Sequence, residues 1–245
     1  MARGAVPVQG RTQIQTGQRA GLPGHGKDTL NASAPRSTTT LTLLDVVVVS
    51  TVCFGLFILA SLQAVLADFP AAEFDDTGNF ATIIIEFVLG ALALAYLHAR
   101  RFDIASLYPQ PEWRGALVGA GLYALAVAMG TLVTAPFQGG VVEFSYQGMS
   151  MTSTVLMAMV NGTFEEVFLL GVLGRGLQSR GISIAIGLPL LVRISYHLYQ
   201  GPVGALWILT MGLVFALYYL RTGRLWPVVF AHILGDIVPV LFSQG

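Results

Sequence analysis

The sequence predicts an all-α fold, a polytopic bundle of about seven transmembrane helices. Three observations carry that expectation. The 245 residues are 54% hydrophobic and only 11% charged, against roughly 25% charged for an ordinary soluble domain. Mean hydropathy is +0.70, and apolar runs of about 20 residues, the length of helix that crosses a bilayer, recur along the chain. The basic residues keep to alternate loops, as loops on one side of a membrane do. Nothing in this composition points to a nucleic-acid partner; the expected surroundings are lipids.

Residues 1–38 are rich in Gly, Ser, Thr, Gln and Arg without apolar periodicity, so they cannot bury enough surface to fold alone. They are read as a disordered tail, and 39–245 as the transmembrane domain. The first span covers about 41–67, with Asp45 near its start, and a short acidic loop carrying Asp68, Glu73, Asp75 and Asp76 follows. The second covers about 80–98 and contains a lone carboxylate, Glu86, for which a structural or pairing role is expected. Pro109 and Pro111 mark the linker to the third, about 113–135. A glycine-containing loop, 138–150, leads into the fourth, 151–174. The fifth, about 182–199, is the weakest because it holds Gly187, Pro189, Arg193 and His197; the sixth covers about 203–220 and the seventh 225–242. The single cysteine, Cys53, excludes an internal disulfide and reads as a small apolar side chain.

Arg100, Arg101 and Arg114, then Arg175 and Arg180, then Arg221 and Arg224 occupy loops on one side together with the basic tail; the opposite loops contain no Lys or Arg. The chain is therefore expected to be an integral, multi-pass membrane protein with a cytoplasmic amino terminus, in the plasma membrane if it is prokaryotic. Twelve of the 13 basic residues fit this single topology, and the exception is Arg193.

That exception lies where the chemistry gathers. Glu165 and Glu166 sit side by side in an otherwise apolar run, and an ionised carboxylate in the hydrocarbon core needs partners. Their side chains lie about 100° apart on a helix, so only one can point straight into a common centre. Arg193 and His197 are four apart and share a face, as do His232 and Asp236. One reading is polar glue between helices. The other is a site: a carboxylate takes a proton from water, an imidazole shares it, and a second imidazole with a polar neighbour steadies an oxyanion. Two histidines and a glutamate could also hold zinc with an open position, although no His-Glu-x-x-His pair is present.

The motifs Glu165-Glu166-x-x-x-x-Gly171, a histidine in an aromatic-flanked helix, and the block Tyr219–Asp236 (a helix, an Arg-Thr-Gly turn, then a helix bearing His-x-x-x-Asp) resemble the CPBP family. These are the CAAX proteases and bacteriocin-processing enzymes, also called the Abi family. The resemblance covers about residues 150–240. It implies an all-helical intramembrane endopeptidase acting near the cytoplasmic leaflet on a membrane-tethered, hydrophobic or lipidated peptide or protein. Glu165 would be the water-activating base, with Glu166 supporting it. His197 would share the water, and His232 and Asp236 would stabilise the oxyanion. Family members have been described both as metal-dependent and as glutamate-type, so the cofactor is open: none, or a divalent metal such as zinc held by Glu165, His197 and His232.

Two positions depart from the pattern. Leu170 stands where the family has Arg, and Arg193 where it usually has Phe. One hypothesis joins them: Arg193 restores from the neighbouring helix the charge lost at 170. The alternatives are a catalytically inactive member serving as a scaffold or self-immunity protein, and a small transporter using the same groups. Counted from 182, His197 comes out too deep to meet Glu165, which predicts that Gly187 and Pro189 break the fifth segment and start its regular helix late. A continuous helix from 182 counts against a shared site.

Overall fold

The computed structural model describes residues 38–137 and 142–243. The proposed tail therefore lies outside the described residues except for Thr38, which is hydrogen-bonded to the backbone of Arg101 and Asp103. Seven helices run in chain order: α1 Leu43–Leu66, α2 Asp76–Ala99, α3 Trp113–Thr134, α4 Met151–Glu166, α5 Ile182–His197, α6 Gly201–Thr222 and α7 Trp226–Ser243. Among the described residues, six helical stretches are long and apolar enough to cross a membrane. The count is one below the expected seven because α5 has only 16 residues and joins α6 through a 3-10 turn, Leu198–Gln200. With leucines, isoleucines and phenylalanines such as Leu56, Ile84, Phe87 and Leu132 exposed on the outer helix faces, the chain is an integral membrane protein.

α4 continues without a break into a π-helix, Val167–Gly174. Together they form the centre of the bundle: 61% of this stretch's most apolar window is buried, and no other candidate span exceeds 39%. Leu169, Val172 and Leu173 pack with α1, α2 and α5. Leu170 faces the second cluster, built from α3, α6 and α7. The π-helix thus fills the space between the glutamates and the basic loop at 175–180 with fully buried side chains.

Glycines shape both turns around α6. Gly201 (φ 76°) starts the helix, and Gly223 (φ 66°) ends it in the left-handed region, where its N–H donates to the Tyr219 carbonyl at 2.7 Å. That conformation is cheap only for glycine.

The sequence reading missed one element. In the acidic loops, β1 Ala72–Asp75 and β2 Phe144–Gly148 pair in parallel. Phe74 stacks on Tyr146 with ring centroids 5.6 Å apart, and Phe144 meets the edge of Tyr199 at 6.2 Å. Asp76 accepts hydrogen bonds from Ser150 N at 2.7 Å and from the Ser153 hydroxyl. The ribbon thereby ties the amino-terminal ends of α2 and α4 together.

The expected break in α5 is absent: the helix is continuous from Ile182 to His197 with Pro189 inside it. Proline cannot bond the Ala185 carbonyl one turn back. A Cβ at Gly174 would stand 3.5 Å from that carbonyl oxygen, so the π-helix backbone packs close against it. Helix-interior proline is tolerated in membrane helices when neighbours take up the disturbance.

Candidate functional site

The site is assembled where α4 turns into the π-helix. Ser150 caps α4, its Oγ accepting from Ser153 N at 3.2 Å, and the helix then carries Glu165 and Glu166 to its last turn. The two carboxylates diverge, as their 100° spacing requires. Glu165 lines a cavity of about 680 Å3, and its Oε2 accepts the Tyr196 hydroxyl at 2.5 Å. Glu166, 0% exposed, turns away from the cavity. Its Oε1 accepts from Arg193 Nη2 at 2.6 Å and from His232 Nδ1 at 2.7 Å.

His232 links the two glutamates to the last helix. Its Nε2 lies 3.8 Å from Glu165 Oε2 and 3.7 Å from Asp236 Oδ1, and Asn161 Nδ2 donates to Asp236 Oδ2 at 3.1 Å. Since a carboxylate facing Arg193 can only accept, His232 Nδ1 carries a hydrogen. His197 Nδ1 lies 2.9 Å from the Arg193 carbonyl, which also can only accept, so the neutral ring keeps its lone pair on Nε2. Phe54 lies parallel to Tyr196 at 5.1 Å and fixes the ring that holds Glu165.

The continuous α5 explains which of its residues touch the glutamates. Arg193 and Tyr196 meet Glu166 and Glu165, whereas His197, 8% exposed, lines the cavity one residue further along. The break expected to bring His197 level with Glu165 is not there, which counts against His197 as a direct partner of Glu165; a tyrosine, not the histidine, hydrogen-bonds that carboxylate. Glu165, Glu166, Arg193, His232 and Asp236 come together, and His197 lines the same cavity as Glu165, His232 and Asp236. Two participants went unassigned in the sequence. Tyr196 lies three residues after Arg193 and Asn161 four before Glu165, spacings that put each on the same helix face as a residue already singled out. Glu86, expected to be structural, lines the cavity as well.

Arg193 is held by a close contact. A Cβ at Gly212 of α6 would stand 3.0 Å from Arg193 Cδ and 2.8 Å from Leu190 Cδ2, so the bare glycine makes room for the guanidinium stem. Gly212→Val is expected to lower stability by about 1–3 kcal/mol through overpacking, read as an earlier thermal transition in detergent. An unchanged transition would show that Arg193 can yield.

The cavity is asymmetric. Beyond the site its lining comes from the ribbon and the adjacent helix halves, including Phe74, Phe144, Tyr146 and Tyr199. Burial, and after it the Asp236 carboxylate, push the Tyr146 phenol up, so it stays a neutral donor at ordinary pH. Toward the basic loops, Leu169, Val172 and Leu173 are fully buried. The cavity extends from the glutamates toward the acidic ribbon.

Glu165, His197 and His232 would be the ligands of a divalent metal. Among the described residues, no group of three or more His, Cys, Asp or Glu side chains is arranged to hold an ion. Glu165 Oε2 is engaged by Tyr196. Nδ1 of each histidine is held by a carboxylate or a carbonyl, which leaves Nε2 open as in a metal-ligating imidazole, but the three side chains do not converge on one ion position.

Residues 147–238 match the family model described as type II CAAX prenyl endopeptidase, Rce1-like, which encloses every residue of the cluster except Glu86. The match is consistent with the CPBP/CAAX protease family that the motifs resemble. No curated protein and no solved structure gives a significant match to the chain.

Proposed function

We propose, from an Rce1-like segment of the CAAX protease family spanning residues 147–238, that this chain is an intramembrane endopeptidase that activates water directly with Glu165. The observation that carries the reading is the division of labour between the glutamates. Glu166 is neutralised by Arg193 and His232, while Glu165 faces the cavity with one oxygen tied to Tyr196.

Water held between Glu165 and His197 Nε2 attacks the scissile carbonyl carbon as its proton passes to Glu165. The carbonyl oxygen becomes an oxyanion facing His232 Nε2–H, whose orientation is set by Glu166 at Nδ1 and by Asp236. Collapse of the tetrahedral intermediate breaks the C–N bond, and the proton on Glu165 goes to the leaving amine. The products are a carboxylate and an amine. The substrate is a hydrophobic or membrane-tethered peptide, lipidated or not, taken up from the lipid-embedded region.

Leu170 favours a second reading, a non-catalytic scaffold or self-immunity protein. Incubating the purified protein with a peptide library, with and without chelator, decides between them. Cleavage that survives chelation is expected. Loss of cleavage with chelator and its return with zinc would overturn the glutamate-type mechanism, and no cleavage under any condition would leave the scaffold.

A further inference from the structure

Glu86 is left over by this mechanism. On α2 the buried residues Asn79, Glu86, Gly90, Ala93 and Leu97 form one inward stripe, and Glu86 occupies a place that an apolar side chain would ordinarily fill. It is 3% exposed and lines the cavity, yet its Oε2 has no hydrogen-bond partner. It is therefore not glue between helices, since glue would be paired. The exposed Glu73 aside, the other cavity carboxylates have local partners. Asp75 caps α2 through Gly78 N at 2.6 Å, Glu165 holds Tyr196, and Asp236 holds Asn161.

Apart from His232, which is engaged by Glu166 and lies near Glu165 and Asp236, the charged side chains of the cavity wall are acidic. Glu73, Asp75, Glu86, Glu165 and Asp236 all line it, and among the described residues it has no lysine or arginine. Arg193, the cation buried nearby, is spent on Glu166 outside the lining. Such a cleft between low-dielectric walls concentrates cations, and a positive group beside Glu86 would offset the cost of holding a lone carboxylate inside the membrane. Phe54 and Phe57, which also line the cavity, suit the apolar stem of a long basic side chain.

We infer that the peptide accepted by this cavity carries an organic cation, a basic side chain or a free amino terminus, and that Glu86 is the specificity-determining carboxylate that receives it. The inference rests on the peptidase reading but is tested separately from it. Peptide pairs identical except for lysine or norleucine at successive positions, each with a free or acetylated amino terminus, are offered to the full-length protein in detergent. Cleavage is followed as kcat and KM, and binding of the same peptides is measured on Glu165→Gln by fluorescence anisotropy.

A preference of about tenfold or more for the cationic member at one position is expected, the size of a single charge-pair contact. Glu86→Gln is expected to bring that ratio close to one, through KM and through Kd, while Glu86→Asp keeps part of it. The position and the acetylation state at which the ratio appears identify the cation as side chain or terminus. A preference that survives Glu86→Gln overturns the inference, as does a wild-type protein that separates no pair in cleavage or binding. Binding that shows the preference on Glu165→Gln, with no cleavage by the wild type, would sustain the cation site and sink the peptidase.

Discussion

Replacing Glu165 by glutamine is expected to lower the rate of peptide hydrolysis by about 10²–10⁴-fold, the usual contribution of a positioned general base. The amide keeps the shape of the carboxylate and can still accept the Tyr196 hydroxyl that lies 2.5 Å from Oε2, so folding should be nearly unaffected. The loss should fall on kcat, because the proton is taken up only as water attacks. Initial rates with a cleaved peptide, beside a thermal transition in detergent, separate the two effects. A Glu165→Gln protein with wild-type kcat would place the base elsewhere.

Arg193→Leu is expected to be the most damaging change to the fold. The guanidinium is almost wholly buried and donates to Glu166 Oε1 at 2.6 Å. Removing one member of a buried ion pair typically costs about 3–5 kcal/mol, because the other charge is left alone. Neutralising both members is usually far cheaper, so Arg193→Leu with Glu166→Gln should recover most of the thermal stability. Activity should stay low in the double variant, since His232 Nδ1 then faces an amide instead of a carboxylate. Leu170→Arg added to Arg193→Leu tests whether a charge delivered from the π-helix can replace one delivered from α5. Full activity in the single variant would remove Arg193 from the machinery.

Hydropathy made the helices legible, because the requirement to bury backbone hydrogen bonds in lipid leaves long apolar runs few alternatives to helix. α3, expected at about 113–135, covers Trp113–Thr134, and α4 with its π-helix covers Met151–Gly174. The clustering of acid and imidazole was legible for a related reason: an ionisable group inside a span is costly enough to need partners. The parallel ribbon was not, since its strands lie some 70 residues apart and lack the local turn that announces a hairpin. The π-helix was hidden because its residues read as ordinary apolar helix, and its wider turn arises from packing between two side-chain clusters. Tyr196 was overlooked beside a histidine that fitted a motif and that points about 100° further round the helix. Glu86 could be seen but not placed, because a single sequence does not say which way a lone carboxylate on α2 turns.

The packed leucines beneath the glutamates give the chamber a floor, and among the described residues its lining includes none from the arginine-bearing loops. On the peptidase reading, a bound peptide would have to bend back toward the ribbon, because the floor leaves it no way through to the arginine-bearing side.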